Sequence, residues 1–289
     1  MATHPDALIR EAFGQVGRHR LVGEIIKTYS TNRSDVYEQA LRGLDFDGPV
    51  RVLDVGCGYG RFTGHLKGRV PPGSRCTGLD LLRENGQPFI DTARHIDPAA
   101  EFITGAAGEV GAMAENSYEL IITAYSLNFC NAIIPHLARI ITPDGSLIII
   151  SHARYFLRDL IDDIERALSE SIVAGSVQLE QEHLMANFND ENAMGLLAPH
   201  FEQIDRIDYR NQLSFPLNEL EQCFTYIDFK LPLLIRMNQQ GDAGLTQYRD
   251  MLFRHIRRGS QASGVYRLNK DDCIFRCSHP VKEDVSHAG

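Results

Sequence analysis

The stretch RVLDVGCGYGRF, residues 51–62, constrains this chain more than any other part of its sequence. A short apolar run ends in Asp54, and Gly56, Gly58 and Gly60 follow at alternate positions. So short a run bounded by glycines reads as a buried strand. The glycines then allow main-chain angles closed to other residues and let a ligand touch the backbone. In an open α/β sheet, ligands sit at the carboxyl ends of the strands, where the chain turns into the next helix. A dinucleotide fingerprint requires G-x-G-x-x-G. Here the spacing is G-x-G-x-G, and Arg61 stands where that fingerprint needs its third glycine. Asp54 also repels a phosphate and suits a ligand bearing an amino group or another cation.

The surrounding sequence supports a parallel sheet. After residue 50, β-rich runs such as VRVLDV, RCTGLDL, EFITG, YELIITAYSL and SLIIIS alternate with helical segments. Nearly continuous apolar strands of this kind are buried on both faces. Before them, residues 5–28 carry helical periodicity, and Ser34 or Asp35 is placed to cap a short helix around Val36–Leu41. After them, residues 155–175 put Leu157, Leu160, Ile161, Ile164 and Leu168 on one helical face, ending at Gly175. A helix near 190–199, an alternating strand FEQIDRIDYRNQL, helices around 217–228 and 244–258 and a last strand, DCIFRC, complete the reading. The six cysteines form no CxxC pair, and Cys273 and Cys277 lie too far apart on one strand to share a bond or a metal. Reduced thiols, no metal and a cytoplasmic protein are expected. A net charge of −9 argues against nucleic acid, and no apolar run is long enough to span a membrane.

A second acid, Asp80, ends the next strand twenty residues after Gly60. An acid there accepts hydrogen bonds from ribose hydroxyls. The two carboxylates and the bare loop describe a ligand with a ribose and an amine but little phosphate. VLDVGCGYGRF, GLDL and LARIITPDGSLIIISH resemble class I S-adenosylmethionine-dependent methyltransferases, over roughly 48–152 plus the final strand. The resemblance implies a Rossmann-like α/β fold. Its seven-stranded, mostly parallel sheet has helices on both faces, with an N-terminal helical cap and a helical insert before the last strand. The boundaries expected are a cap over 1–45, a cofactor core over 46–211, an insert over 212–262, and a final strand and tail over 263–289.

The resemblance also assigns roles. Asp54, Gly56, Cys57, Gly58 and Gly60 hold the methionine end of S-adenosylmethionine. Asp80 holds the ribose, Leu81 packs on the adenine, and Ala124 and Tyr125 flank the cofactor. After the third strand, where the family often places an acid for the adenine amine, the chain has ITGAAGEV. Ala106 and Ala107 offer only main-chain contacts there, with Glu109 as a substitute acid.

Methyl transfer is an in-line displacement, so alignment supplies much of the rate and a base matters only when the acceptor loses a proton. His152, ending the fifth strand, and Tyr125 are the catalytic candidates; a histidine there is more often a satisfied hydrogen-bonding residue, and Tyr125 reads equally as a residue at the core's edge. The sequence YSLNFCN lacks the tetrapeptide of enzymes that modify exocyclic amines. Acceptor contacts are expected from Asn128, from Tyr29 and Arg33 in the cap, and from Phe224 and Tyr226 in the insert. The expected function is methyl transfer to an O, N or C atom of a small molecule, leaving S-adenosylhomocysteine; an oligomer is compatible with it. A silent cofactor-binding regulator, an RNA methyltransferase and an NAD-dependent oxidoreductase are the alternatives.

Overall fold

The computed structural model describes residues 5–169, 177–237 and 241–282. Gly175, expected to stop a helix, lies outside them. The described residues fall into two compact units, one drawn from 1–33, 155–185 and 210–271 and the other from 34–154, 186–209 and 272–289.

The second unit is built on a seven-stranded sheet. Its strands are β1 (Arg51–Val55), β2 (Arg75–Asp80), β3 (Glu101–Thr104), β4 (Tyr118–Ala124), β5 (Ile141–His152), β7 (Phe201–Tyr209) and β11 (Asp272–Pro280). Their order is β3-β2-β1-β4-β5-β11-β7. The first five run parallel, and β11 enters antiparallel between β5 and β7. Strand order reverses between β1 and β4, and such a switch point opens a crevice at the carboxyl ends. Successive side chains alternate between faces. Leu53, Val55, Ile121, Leu147, Ile149 and Phe275 form one buried cluster with Leu137 and Leu197. Those leucines come from the helices Ile134–Ile140 and Ala193–Leu197. Val52, Ile122, Ile148, Ile150 and Ile274 form another with Leu41, Phe62 and Phe89. The expected helix-covered sheet is therefore present.

The other unit holds helices Pro5–Phe13, Val16–Tyr29, Arg158–Ser169, Leu220–Leu234 and Gly241–Ser260. Two small antiparallel pairs accompany them: β6 (Val177–Leu179) with β9 (Ile235–Met237), and β8 (Gln212–Pro216) with β10 (Val265–Asn269). Leu160, Ile164, Leu213, Phe215, Ile227 and Leu252 lie in its core.

Some local readings shift. FEQIDRIDYRNQL is two strands: β7 joins the large sheet and β8 pairs with β10, the break falling at Arg210 and Asn211, which are held by the Asp271 carboxylate. The TPDG segment lies inside β5, where the register with β4 jumps from Tyr118 opposite Ile141 to Leu120 opposite Ser146. Residues 155–185, read with the cofactor core, fall in the first unit, and so do 263–271, read with the final strand. Asp35 caps its helix as expected, accepting from the amides of Tyr37 and Glu38. Among the described residues no helix is long and apolar enough to cross a membrane.

Because Ile274 sits fully buried where β11 joins β5 to β7, Ile274→Ala should destabilise the sheet unit by about 2–5 kcal/mol. Guanidinium unfolding followed by far-ultraviolet circular dichroism measures this, the chain having no Trp to report by fluorescence.

Candidate active site

Gly56, Gly58 and Gly60 adopt φ values of +68°, +52° and +84°, which L side chains rarely enter. At Gly56 space forbids a side chain as well: a Cβ would stand 2.0 Å from Ser126 Oγ. The loop is sewn to the neighbouring strand by its amides. Gly56 and Cys57 both donate to the Leu79 carbonyl, at 2.8 and 3.2 Å, and Gly60 donates back to Cys57. Gly78 on β2 permits this approach, since a Cβ there would lie 2.8 Å from Cys57 Sγ and 2.6 Å from Phe89 Cζ.

The Asp80 carboxylate locks the arrangement. Its Oδ2 accepts the Gly58 amide at 2.8 Å, and its Oδ1 accepts the Leu82 amide at 2.8 Å and Asn85 Nδ2 at 3.0 Å. A carboxylate offers about four acceptor directions, so with three filled Oδ2 can still receive one ligand hydroxyl. Burial raises the Asp80 pKa, opposed by these three donors.

Asp54 is almost wholly buried and turns to the short helix after the loop, accepting Thr63 Oγ1 at 2.7 Å. Burial pushes its pKa up to about 7 against the two Thr63 donors, and the Asp80 charge adds to the rise. Such a carboxyl favours the folded state below about 3.8 and loses that contribution as pH rises through about 7. Cys57 stands near both acids; burial first, then their charges, lifts its thiol well above the ordinary value. It is a packing residue, not a nucleophile.

Along the same edge of the sheet, Tyr125 follows β4 at φ +61°, its amide bonded to the Ile150 carbonyl at 2.7 Å. Its ring stacks on His152 with centroids 4.4 Å apart. Both reach Asp272: His152 Nδ1 lies 2.7 Å from Oδ1, and the Tyr125 hydroxyl donates to Oδ2 at 3.1 Å. Asp272 starts β11 directly opposite His152 and, on its other side, Tyr209. It was missing from the sequence candidates because 120 residues separate it from His152 and no motif surrounds it. Arg61 also belongs to this edge, its guanidinium 5.4 Å from the Tyr37 ring centroid.

The remaining candidates divide. Leu81 and Ala124 are half-buried, Ala106 is exposed and Ala107 half-buried, and the Gly105 amide bonds the Asp80 carbonyl, fixing that loop beside the acid. Asn128 is buried, its Nδ2 donating to the Phe188 carbonyl at 2.6 Å and its Oδ1 accepting Ser151 Oγ at 3.3 Å. That side chain positions a loop. In the other unit, Phe224 is buried and stacked on Phe253 at 4.2 Å, and Tyr226 is fully buried. Tyr29 donates to Glu219 at 2.5 Å, and Arg33 is exposed. Among the described residues no group of His, Cys, Asp and Glu is arranged to hold a metal.

Comparison with known proteins now gives the class. Residues 52–145, spanning the glycine loop, Asp80 and β4, match the methyltransferase-domain family. This stretch therefore matches a methyltransferase domain, in agreement with the resemblance carried by its glycine loop and strand-end acids. Solved structures share the fold. The YcgJ protein of Bacillus subtilis aligns over 92% of this chain and 100% of its own, at 15% identity and a TM-score of 0.50. BH2331 of Bacillus halodurans aligns over 86% and 100%, at 14% identity and 0.51. The cyclase SpnF aligns over 92% and 96%, at 14% identity and 0.50. The comparison with curated proteins found no match.

Gly56→Ala should lower stability by about 1–3 kcal/mol through the clash and the backbone strain. Adding Ser126→Gly should recover only part of that loss, because it removes the clash and leaves the positive φ; thermal melts of the single and double variants read the difference.

Proposed function

We propose that this chain binds S-adenosylmethionine at the β1 loop and transfers its methyl group to a small molecule, releasing S-adenosylhomocysteine. The observation that carries the reading is the Gly58 amide bonded to Asp80, which sets a bare main-chain turn beside a carboxylate with room for one more donor. In this reading the Gly56–Gly60 turn lies along the methionine end and Asp80 takes one ribose hydroxyl. Leu81 packs beside the adenine, with Ala106 and Ala107 meeting its edge through main chain. Ala124 and Tyr125 bound the site on the β4 side. Asp54, whose Oδ2 is engaged by Thr63, acts on the methionine ammonium through its field. Bound there, the cofactor supplies an electrophilic methyl group. The protein's own part is to align the acceptor with it and keep water away.

Tyr29, bonded to Glu219, and the exposed Arg33 keep polar groups near solvent, whereas Phe224 and Tyr226 serve the core of their unit. A net charge of −9 favours a metabolite over a nucleic acid as acceptor, and six free cysteines favour a reducing, cytoplasmic setting.

Calorimetry with S-adenosylhomocysteine tests the reading: wild-type protein should bind it and give no heat with NAD. Asp80→Ala should weaken binding roughly 10- to 100-fold, the worth of a hydrogen bond to a charged group. The ligand's ammonium favours the ionised form of Asp54, so affinity should climb as pH rises to about 7 and level off above it. At pH 6 binding should release a proton, seen as a heat that depends on the buffer. Asp54→Asn should abolish both effects.

A further inference from the structure

The C-terminal edge of the sheet carries a polar group that cofactor binding does not use. Asp272 is 3% exposed and His152 is 7% exposed, and they face each other across the β5–β11 ladder. Two residues further along the same ladder the facing pair is Ile150 and Ile274, both fully buried. An apolar pair fits this sheet well, and a buried polar pair is seldom the more stable choice. The pair occurs only at the end of the ladder that meets the crevice, beside the residue that follows β4.

His152 Nδ1 lies 2.7 Å from the Asp272 carboxylate. An ionised carboxylate only accepts, so in the proposal made below this contact carries its hydrogen on Nδ1, and the acceptor lone pair of a neutral ring is then on Nε2. The second carboxylate oxygen accepts the Tyr125 hydroxyl, and Tyr125 in turn covers one face of the imidazole. Asp272 thus holds two rings at once. Tyr125 is not itself a base: burial first, and then the Asp272 charge, drives its phenol well above its ordinary value. Other groups that feel this carboxylate include Tyr37, Tyr209 and Cys273.

We propose that Asp272 is a positioning residue that sets His152 as the general base of methyl transfer, and that the acceptor is a protic one, an O–H or N–H group. The proposal rests on the methyltransferase reading above and adds the chemical class of the acceptor. As the acceptor's lone pair bonds to the methyl carbon, the carbon–sulfur bond breaks and its electron pair goes to sulfur. His152 Nε2 takes the acceptor's proton, giving methylated acceptor, S-adenosylhomocysteine and an imidazolium. The Asp272 carboxylate stabilises that imidazolium until the proton passes to water. A carbon acceptor that keeps no acidic hydrogen, or a thiolate, has no use for such a pair.

The experiment uses the full chain with tritiated-methyl S-adenosylmethionine and a panel of phenols, alcohols, amines, imidazoles, thiols and activated alkenes, alongside calorimetry with S-adenosylhomocysteine. The expected result is methylation of an O–H or N–H acceptor with kcat rising through one histidine ionisation. His152→Gln and Asp272→Asn should each lower kcat about 10²- to 10⁴-fold, the range of general-base catalysis. KM and S-adenosylhomocysteine affinity should stay within about threefold, and added imidazole should restore part of the rate of His152→Ala. Nitrogen-15 spectra of the histidine ring should show hydrogen on Nδ1 in wild type and a changed tautomer in Asp272→Asn, which reports on the pair independently of turnover.

Three results overturn the proposal: a wild-type ring carrying its hydrogen on Nε2, variants that keep wild-type kcat and pH profile, or a panel in which no O–H or N–H compound is methylated. If S-adenosylhomocysteine fails to bind wild-type protein, the methyltransferase reading itself falls. If it binds and the variants turn over normally, only the base assignment does.

Discussion

The hydrogen bond from the Gly58 amide to Asp80 ties together two segments on which the site depends. It needs a backbone angle of +52° at Gly58, a conformation that glycine adopts at the least cost. It also needs the β1 and β2 ends side by side, which the parallel register from Arg51 opposite Arg75 to Val55 opposite Leu79 provides. Gly78 matters for the same reason, because a side chain there would push Cys57 and Phe89 away and open the turn. A loop that would otherwise sample many conformations is held ready for a ligand, so little ordering cost remains for binding.

The other half of the edge is assembled from the end of the chain. β11 runs antiparallel to β5, which brings its first residue, not its last, to the ends of the parallel strands. Asp272 arrives beside His152 for that reason, and Tyr209 at the end of β7 lies on its far side. One sheet edge therefore presents the acids Asp54 and Asp80 at β1 and β2, and a carboxylate–imidazole pair at β5 and β11. The fold is shared by proteins at 14–15% identity and does not by itself fix the chemistry at such an edge.

Much of the first half was legible in the residues. The apolar runs and the glycine spacing are local signals, and local signals survive in a linear sequence. The Asp35 cap, the sheet unit and the three positive-φ glycines agree with that reading. Less legible were features fixed by contacts between distant segments. Phe224, Tyr226 and Asn128 were polar or aromatic residues in plausible places, yet burial makes the first two core and hydrogen bonding makes the third a loop support. The sequence placed Asp54 after β1 but did not show that its Oδ2 accepts Thr63 Oγ1. The break after Tyr209 was hidden because the alternation continues through it, while pairing divides the two strands between sheets.

By itself, the sequence pointed to the class of the central domain, through a glycine-spaced turn and two acids at strand ends. Tertiary structure alone decided which polar groups meet. Strand periodicity says which face a side chain takes, and says nothing of which strand lies alongside. That Asp272 faces His152, and that Asp80 reaches Gly58, are consequences of register, a property of pairs of strands that no single stretch of chain contains.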